Sequence, residues 1–291
     1  MFKFGCNSIL LVVMLSPAYA TSAQPRVEVP SSPVANALSS TLNIQALSAD
    51  DYRWIGARIY QNEGNSQAKN LTFWSKNEAF PSLGIGHFIW FPEGVDPPFN
   101  QTFPDMLAFV SKTVKPPTWL LERTKKTAPW QTREQFEQAW SGKQLTELRD
   151  WLEATQAEQA QFIVQQFSSR LEEVLQTLPV EQQDFYQARI SALMRSKQGY
   201  FALIDYVNFK GVGGNPKEQY QGQEWGLLSV IESMSLSGEP SAITSFTNRE
   251  LLEAFITSAK QRLQLRTELA PSERNEQRWL KGWFKRLESY Q

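Results

Sequence analysis

The sequence has 291 residues, with 29 lysines and arginines against 30 aspartates and glutamates, so it is close to neutral at pH 7. Its one cysteine, Cys6, lies in an N-terminal segment that we expect to be removed, and His87 is its one histidine. These counts exclude disulfides, thiolate metal sites and multi-histidine metal sites in the mature chain, as well as the basic surface of a nucleic-acid binder. We therefore expect no metal and no other cofactor.

Residues 1–20 have the pattern of a secretory signal peptide. Lys3 gives a positive start, residues 9–15 form a short apolar run, and Ala18-Tyr19-Ala20 is a small-x-small cleavage site. The apolar run is too short to span a bilayer. We predict an exported protein, periplasmic or secreted, with no membrane segment after processing. An uncleaved N-terminal anchor is the alternative.

A flexible leader is predicted for residues 21–47, which are rich in Ser, Pro, Ala and Thr. The folded domain is then expected to span residues 48–291. It begins with a capping box, in which Ser48 is followed three residues later by the acidic Asp51. Apolar residues then recur at helical spacing, which predicts a first helix to about Asn62.

The pattern changes over residues 72–91, where aromatic and β-branched residues with two glycines predict a short hairpin or small sheet. Four prolines make residues 92–104 a predicted loop. Helical spacing then returns, interrupted by a glycine-rich loop over residues 211–222. The predicted helices are a capped helix after Thr132 and the segments 145–154, 162–175, 182–194, 200–209, 225–234, 248–263 and 271–287. The chain is therefore predicted to be α+β and mostly α.

Glu63 is the first candidate for chemistry. It follows Ile55 and Ile59 at helical spacing, so it lies on the apolar face at the end of the first helix. Burial and the negative end of the helix dipole both disfavour an ionised carboxylate, as a general acid requires. Gly64 is a plausible helix stop. The alternative is a helix-terminal Glu that reaches water.

A glycine motif, Ser82-Leu83-Gly84-Ile85-Gly86-His87, follows Glu63-Gly64 at short range. Together they resemble the phage-type lysozyme family, in which a helix ending in Glu-Gly is followed by a hairpin with Thr-Ile-Gly-Ile-Gly-His. The resemblance covers residues 52–91 and, more weakly, residues 202–211, where Ala-Leu-Ile-Asp is similar to the family's central helix. It implies a lysozyme-like fold with a small N-terminal sheet. Residues 105–200 would then be an extra helical insert.

The resemblance implies cleavage of the peptidoglycan glycan strand between muramic acid and glucosamine, with Glu63 protonating the leaving oxygen. Ser82 stands where the family has a Thr that positions water. The family's Asp falls on Lys76, which cannot act as a base, and Glu78 is the candidate second carboxylate, with a solvated loop Glu as the alternative. With two well-separated carboxylates, water would attack directly and the configuration at the anomeric centre would invert. With two carboxylates closer together, a covalent intermediate would form and the configuration would be retained. If only Glu63 serves, the chemistry resembles that of lytic transglycosylases, which form an anhydro sugar.

Substrate contacts are expected along the same hairpin. Gly84 and Gly86 would let a sugar lie close to the strand, or would only permit tight packing. His87 is a candidate contact that also fits a structural role, and Trp74 and Asn77 complete the predicted binding residues. One or two of the hairpin aromatics are expected to stack on sugar faces, among Phe73, Trp74, Phe88, Trp90 and Phe91.

Two further interpretations stay open. Asp205 lies on an otherwise apolar helix, so it is expected to be buried with a polar partner, more in a structural than in a catalytic role. The missing Asp also allows a catalytically silent peptidoglycan-binding scaffold on the same fold. Whether the protein is an enzyme or a scaffold, its expected partner is the glycan strand. Protein partners are unknown, and the purpose of the insert is open.

Overall fold

A computed structural model describes residues 47–96, 99–123, 126–214, 219–236 and 240–291. The expected signal peptide and all of the expected leader except Leu47 lie outside the described residues. The described chain is mostly helical with one small antiparallel three-stranded sheet, which confirms the predicted α+β, mostly α class. Over the same residues, no helix has the length and apolarity needed to cross a lipid bilayer.

The α-helices have the following bounds. They are α1 (Ala49–Gly64), α2 (Phe103–Val110), α3 (Thr118–Leu121), α4 (Arg133–Gln138), α5 (Lys143–Ala154), α6 (Gln156–Gln176), α7 (Val180–Leu193), α8 (Lys197–Lys210), α9 (Leu227–Glu232), α10 (Asn248–Leu269) and α11 (Leu280–Glu288). The strands of the sheet are β1 (Thr72–Phe73), β2 (Ser82–Leu83) and β3 (Phe88–Ile89), and β4 (Gln219–Tyr220) and β5 (Gln223–Glu224) form a separate hairpin.

Helix α1 begins as the sequence predicts. The Ser48 hydroxyl accepts a hydrogen bond from the Asp51 amide at 3.2 Å, and the Asp51 carboxylate accepts one from the Ser48 amide at 3.0 Å. The helix ends at Gly64, two residues beyond the predicted end, because Asn65 supplies the left-handed C-cap with φ of 50°. Glu63 is consequently in the last turn of α1.

The central strand β2 pairs with both neighbours, with Ser82 opposite Phe73 on one side and opposite Ile89 on the other. Directly opposite residues project from the same face of a sheet. The face that carries Leu83 and Phe88 packs into the main core. The other face contributes Ile89 to a second small apolar cluster that also contains Phe80 and Phe91.

The segment predicted as an insert, residues 105–200, belongs to the main core of the protein. Its longest helix, α6, packs along α1. Gly56 of α1 permits this approach, because a Cβ there would lie 2.6 Å from the Gln156 carbonyl oxygen. The N-terminal end of α6 therefore lies against the helix that carries Glu63.

Two predicted boundaries are corrected. A continuous helix over residues 271–287 was wrong, because Asn275 has φ of 45° and separates two 3-10 turns before α11 begins at Leu280. The predicted loop over residues 92–104 ends earlier, since Phe103 and Pro104 form the first turn of α2. Proline is tolerated there because that amide has no helical acceptor.

Candidate functional site

Glu63 lies at a junction of four parts of the chain. Its Oε1 accepts hydrogen bonds from Arg286 Nη2 of α11 at 2.5 Å and from Asn208 Nδ2 of α8 at 3.2 Å. Its Oε2 lies 3.7 Å from Nδ1 of His87, in the turn between β2 and β3. The side chain is 11% exposed, so it does not extend into bulk water as the alternative interpretation required.

Asp205 holds the arginine that binds Glu63. Arg286 donates to its two carboxylate oxygens from Nε and Nη2, both at 2.8 Å, in a bidentate pair. Tyr290 donates its hydroxyl at 2.7 Å and Asn62 donates Nδ2 at 3.2 Å. The Asp205 side chain is 1% exposed, and these four bonds satisfy it. The expectation of a buried polar group with a partner is confirmed.

The charges in this network stabilise one another. Burial alone would lower the pKa of Arg286, but the carboxylates of Asp205 and Glu63 outweigh it and hold the pKa well above the usual value. Burial and the charge of Asp205 also hold the pKa of Tyr290 well above its usual value, so the phenol remains a proton donor. The Arg286 guanidinium packs 4.7 Å from the ring centre of Phe209.

Arg286 and Asn208 are the site residues that the sequence did not single out. They lie 223 and 145 positions from Glu63 in the sequence. The one available signal in the sequence was the spacing of Arg286 and Tyr290. These residues are four positions apart, like residues on one face of a helix, and they lie near the end of an amphipathic segment.

The turn from Gly84 to His87 places the histidine beside Glu63. Gly84 has φ of 72° and His87 has φ of 49°, both in the left-handed region, and the His87 amide donates to the Gly84 carbonyl at 3.3 Å. A Cβ on Gly84 would overlap Gln159 Oε1, and one on Gly86 would lie 3.0 Å from Ile163. Close packing against α6 therefore accounts for both glycines.

Ser82 is buried in the central strand, with 2% of its surface exposed. Its hydroxyl forms no hydrogen bond with any described residue. Buried hydroxyls are normally paired, so an unpaired one calls for an explanation. The side chain shares a sheet face with Phe73 and Ile89.

The predicted residues between β1 and β2 do not join the Glu63 network. Burial raises the pKa of Glu78, and its side chain forms no hydrogen bond or ion pair with the described residues. The buried Trp74 donates its indole N–H to the Glu78 carbonyl oxygen at 2.8 Å. Asn77 is exposed. The structure thus brings His87 to Glu63, but it does not link Glu78, Asn77 or Trp74 to it.

The hairpin aromatics divide sharply by exposure. Phe73 of β1 is 51% exposed, whereas the other four candidates are buried: Trp74, Phe88, Trp90 and Phe91. A ring must be accessible to stack on a sugar, so Phe73 is the candidate for stacking that the structure leaves. Among the described residues, no group of three or more His, Cys, Asp or Glu side chains could hold a metal ion.

Compared with protein-family models, with curated proteins and with solved structures, the chain gives no significant match. The phage-type lysozyme resemblance thus rests on the motif residues alone. The chemistry of the site has to be argued from the contacts of Glu63.

Proposed function

We propose that the protein is an exported peptidoglycan glycosidase with a lysozyme-like fold, which cleaves the glycan strand with Glu63 as its general acid. The observation that carries the proposal is the position of Glu63, which is largely buried at the end of α1 and fixed by Arg286 and Asn208. The Gly84–His87 turn packs next to it. The motif resemblance implies these three parts: a helix end, a glycine turn and an acid.

The two oxygens of Glu63 have different surroundings. Asp205 neutralises Arg286 through a bidentate pair, and Glu63 binds the same arginine through Oε1 only. Its Oε2 lies 3.7 Å from His87 Nδ1. We assign proton transfer to the leaving oxygen to Oε2.

A single usable carboxylate favours a second candidate within the same reaction class. Asp205 is satisfied by four hydrogen bonds and is not available to activate water. In the motif resemblance, the family's second carboxylate falls on Lys76, which cannot act as a base. With one free carboxylate, Glu63 would protonate the leaving oxygen and then accept a proton from the sugar's own hydroxyl. That hydroxyl would close an anhydro ring, which is the lytic transglycosylase reaction.

One residue on the sheet suits a neutral sugar ligand. The exposed Phe73 ring offers an apolar face on which a sugar ring can stack. The Ser82 hydroxyl on the same sheet face is buried, so it is not assigned a contact with the sugar. In this proposal Phe73 stacks on a sugar ring.

The test is a digest of purified sacculi with the chain from residue 21 onward and with its Glu63→Gln variant, read by mass spectrometry. Glu122→Gln is the matched control, because Glu122 also ends a helix but is exposed. We expect fragments from the wild type and the control and none from Glu63→Gln. Fragments with reducing ends would identify hydrolysis, and fragments with anhydro ends would identify a transglycosylase. Intact sacculi with every folded variant would contradict the proposal, and sacculus binding without cleavage would identify a scaffold.

A further inference from the structure

Gln159, in the first turn of α6, is fully buried and forms three hydrogen bonds. Its Oε1 accepts from the Ile85 amide of the β2–β3 turn at 3.0 Å. Its Nε2 donates to the Leu152 carbonyl at 2.6 Å and to the Thr155 hydroxyl at 3.0 Å. One side chain thereby connects the junction of α5 and α6 to the turn that carries His87.

The fit between Gln159 and the turn is tight. Gly84 approaches so closely that a Cβ at this position would overlap Gln159 Oε1. The Ile85 amide is buried, and removal of its acceptor would leave an unpaired buried donor. The turn is therefore held at one distance from α6 by a specific acceptor as well as by apolar packing.

The same turn sets the distance between His87 and Glu63. Gln159 fixes Ile85, and His87 follows two residues later, with its amide bonded back to Gly84. On its other side, α6 packs along α1, which ends at Glu63. Helix α6 thus packs against the helix that carries Glu63 and bonds to the turn that carries His87, and these two side chains lie 3.7 Å apart.

We propose that Gln159 is a positioning residue, which fixes the Gly84–His87 turn relative to Glu63 and so sets the geometry of the acid and its sugar-facing surroundings. The inference rests on the proposed function and deepens it. It also assigns a purpose to the segment over residues 105–200. That segment supplies α6, whose buried amide orders the active-site turn.

The first measurement is structural, and His87 makes it simple, because the one histidine gives a single imidazole signal in an NMR spectrum. Gln159→Met keeps the approximate volume and removes the amide. We expect the His87 signal to shift and the Ile85 amide to exchange with solvent at least about tenfold faster. Gln166→Met, an exposed substitution on the same helix, should change neither.

The second measurement separates positioning from general destabilisation. We expect Gln159→Met to lower kcat on sacculus glycan by about tenfold to a hundredfold, with KM within about twofold, since small misplacements act on the reacting geometry. Leu171→Ala, at a fully buried site further along α6, is the control, with temperature chosen so that both variants are equally folded. Gln159→Glu should restore part of kcat at low pH, where its protonated carboxyl supplies both an acceptor and a donor.

Equal kcat for Gln159→Met and Leu171→Ala at equal folded fraction, or a His87 signal that does not move, would overturn the proposal. Failure of the proposed function would give a different result, because Glu63→Gln would then be as active as the wild type. If the wild type itself does not cleave sacculi, the proposed function fails. The His87 and Ile85 signals then still decide whether Gln159 holds the turn in place.

Discussion

Arg286 Nη2 lies 2.5 Å from Glu63 Oε1, although the two residues are 223 positions apart in the sequence. Helix α11 therefore completes a site that begins in α1, and Asp205 of α8 orients the arginine between them. A resemblance confined to the N-terminal motif would miss this contact. Folding of the C-terminal helix and formation of the site should be coupled, because the arginine serves both.

The first prediction concerns this arginine. Among the described residues, Arg286→Met leaves the buried Asp205 with Tyr290 and Asn62 as partners, so we expect the free energy of unfolding to fall by about 3 to 5 kcal/mol. Lys285→Met, at the adjacent exposed position, should change it by less than about 0.5 kcal/mol. Urea unfolding of both variants measures the difference. Equal stabilities would contradict the role given to the buried network.

The second prediction concerns Glu78. If Glu63 acts as the single carboxylate, Glu78→Gln should keep glycan cleavage within about threefold of the wild type. The products should carry anhydro ends, as a single-carboxylate reaction requires. Mass spectrometry of digested sacculi reads both. Loss of cleavage comparable with that of Glu63→Gln would instead make Glu78 the second carboxylate and favour hydrolysis.

The third prediction uses the one exposed hairpin aromatic. Phe73→Ala should raise KM for glycan by about three- to tenfold with little effect on kcat, because stacking contributes about 0.5 to 1.5 kcal/mol of binding. Leu121→Ala is the matched control, since Leu121 is also 51% exposed but lies outside the sheet. Steady-state kinetics on a soluble glycan fragment gives the comparison. Parallel changes in the two variants would exclude a specific stacking role.

The fourth prediction compares two glycines of similar backbone conformation. Gly84 has φ of 72° and Gly94 has φ of 79°, but an added Cβ meets Gln159 and Phe88 only at Gly84, and at Gly94 it meets no described residue within 4 Å. Gly94→Ala should cost about 1 to 2 kcal/mol from backbone strain. Gly84→Ala should cost about 1 to 3 kcal/mol more, because overpacking adds to the strain. Thermal and urea unfolding test the order.

The fifth prediction is a pH dependence that arises from Lys210. Its ammonium group is buried without a hydrogen-bond partner among the described residues, 3.6 Å from the ring centre of Trp283. Burial, followed by the charge of Arg266, holds the pKa of Lys210 well below its usual value. The pKa of a lysine in the unfolded chain is about 10.4. At a pH between the folded and the unfolded pKa of Lys210, the unfolded chain therefore binds one more proton than the folded chain.

Folding stability should therefore rise with pH in that window, by at most about 1.4 kcal/mol per pH unit from this group. Lys210→Met removes the contribution. We expect the variant to be more stable than the wild type at pH 7 and the difference to shrink as the pH approaches 10. Unfolding at pH 7, 8, 9 and 10 checks this. A difference that stays constant with pH would mean that Lys210 remains charged in the folded protein.

Features that depend on local pattern could be predicted from the amino-acid sequence. The capping box at Ser48, the helix that leads to Glu63 and the sheet over residues 72–91 all follow from spacing and turn residues close in the chain. These are interactions among neighbours, and their signals lie within a few residues of one another. The left-handed conformation of Gly84 and His87 in the turn was seen only in the structure.

Contacts between side chains that are distant in the sequence could not be predicted in this way, because they depend on how the helices pack. Arg286 and Asn208 reach Glu63, and Gln159 reaches the turn, across long stretches of chain whose own patterns are those of ordinary amphipathic helices. Helical spacing specifies which residues share a face, but it does not specify which face meets which. That choice comes from packing the whole core, where burying Asp205 requires the arginine and Gly56 admits α6 against α1.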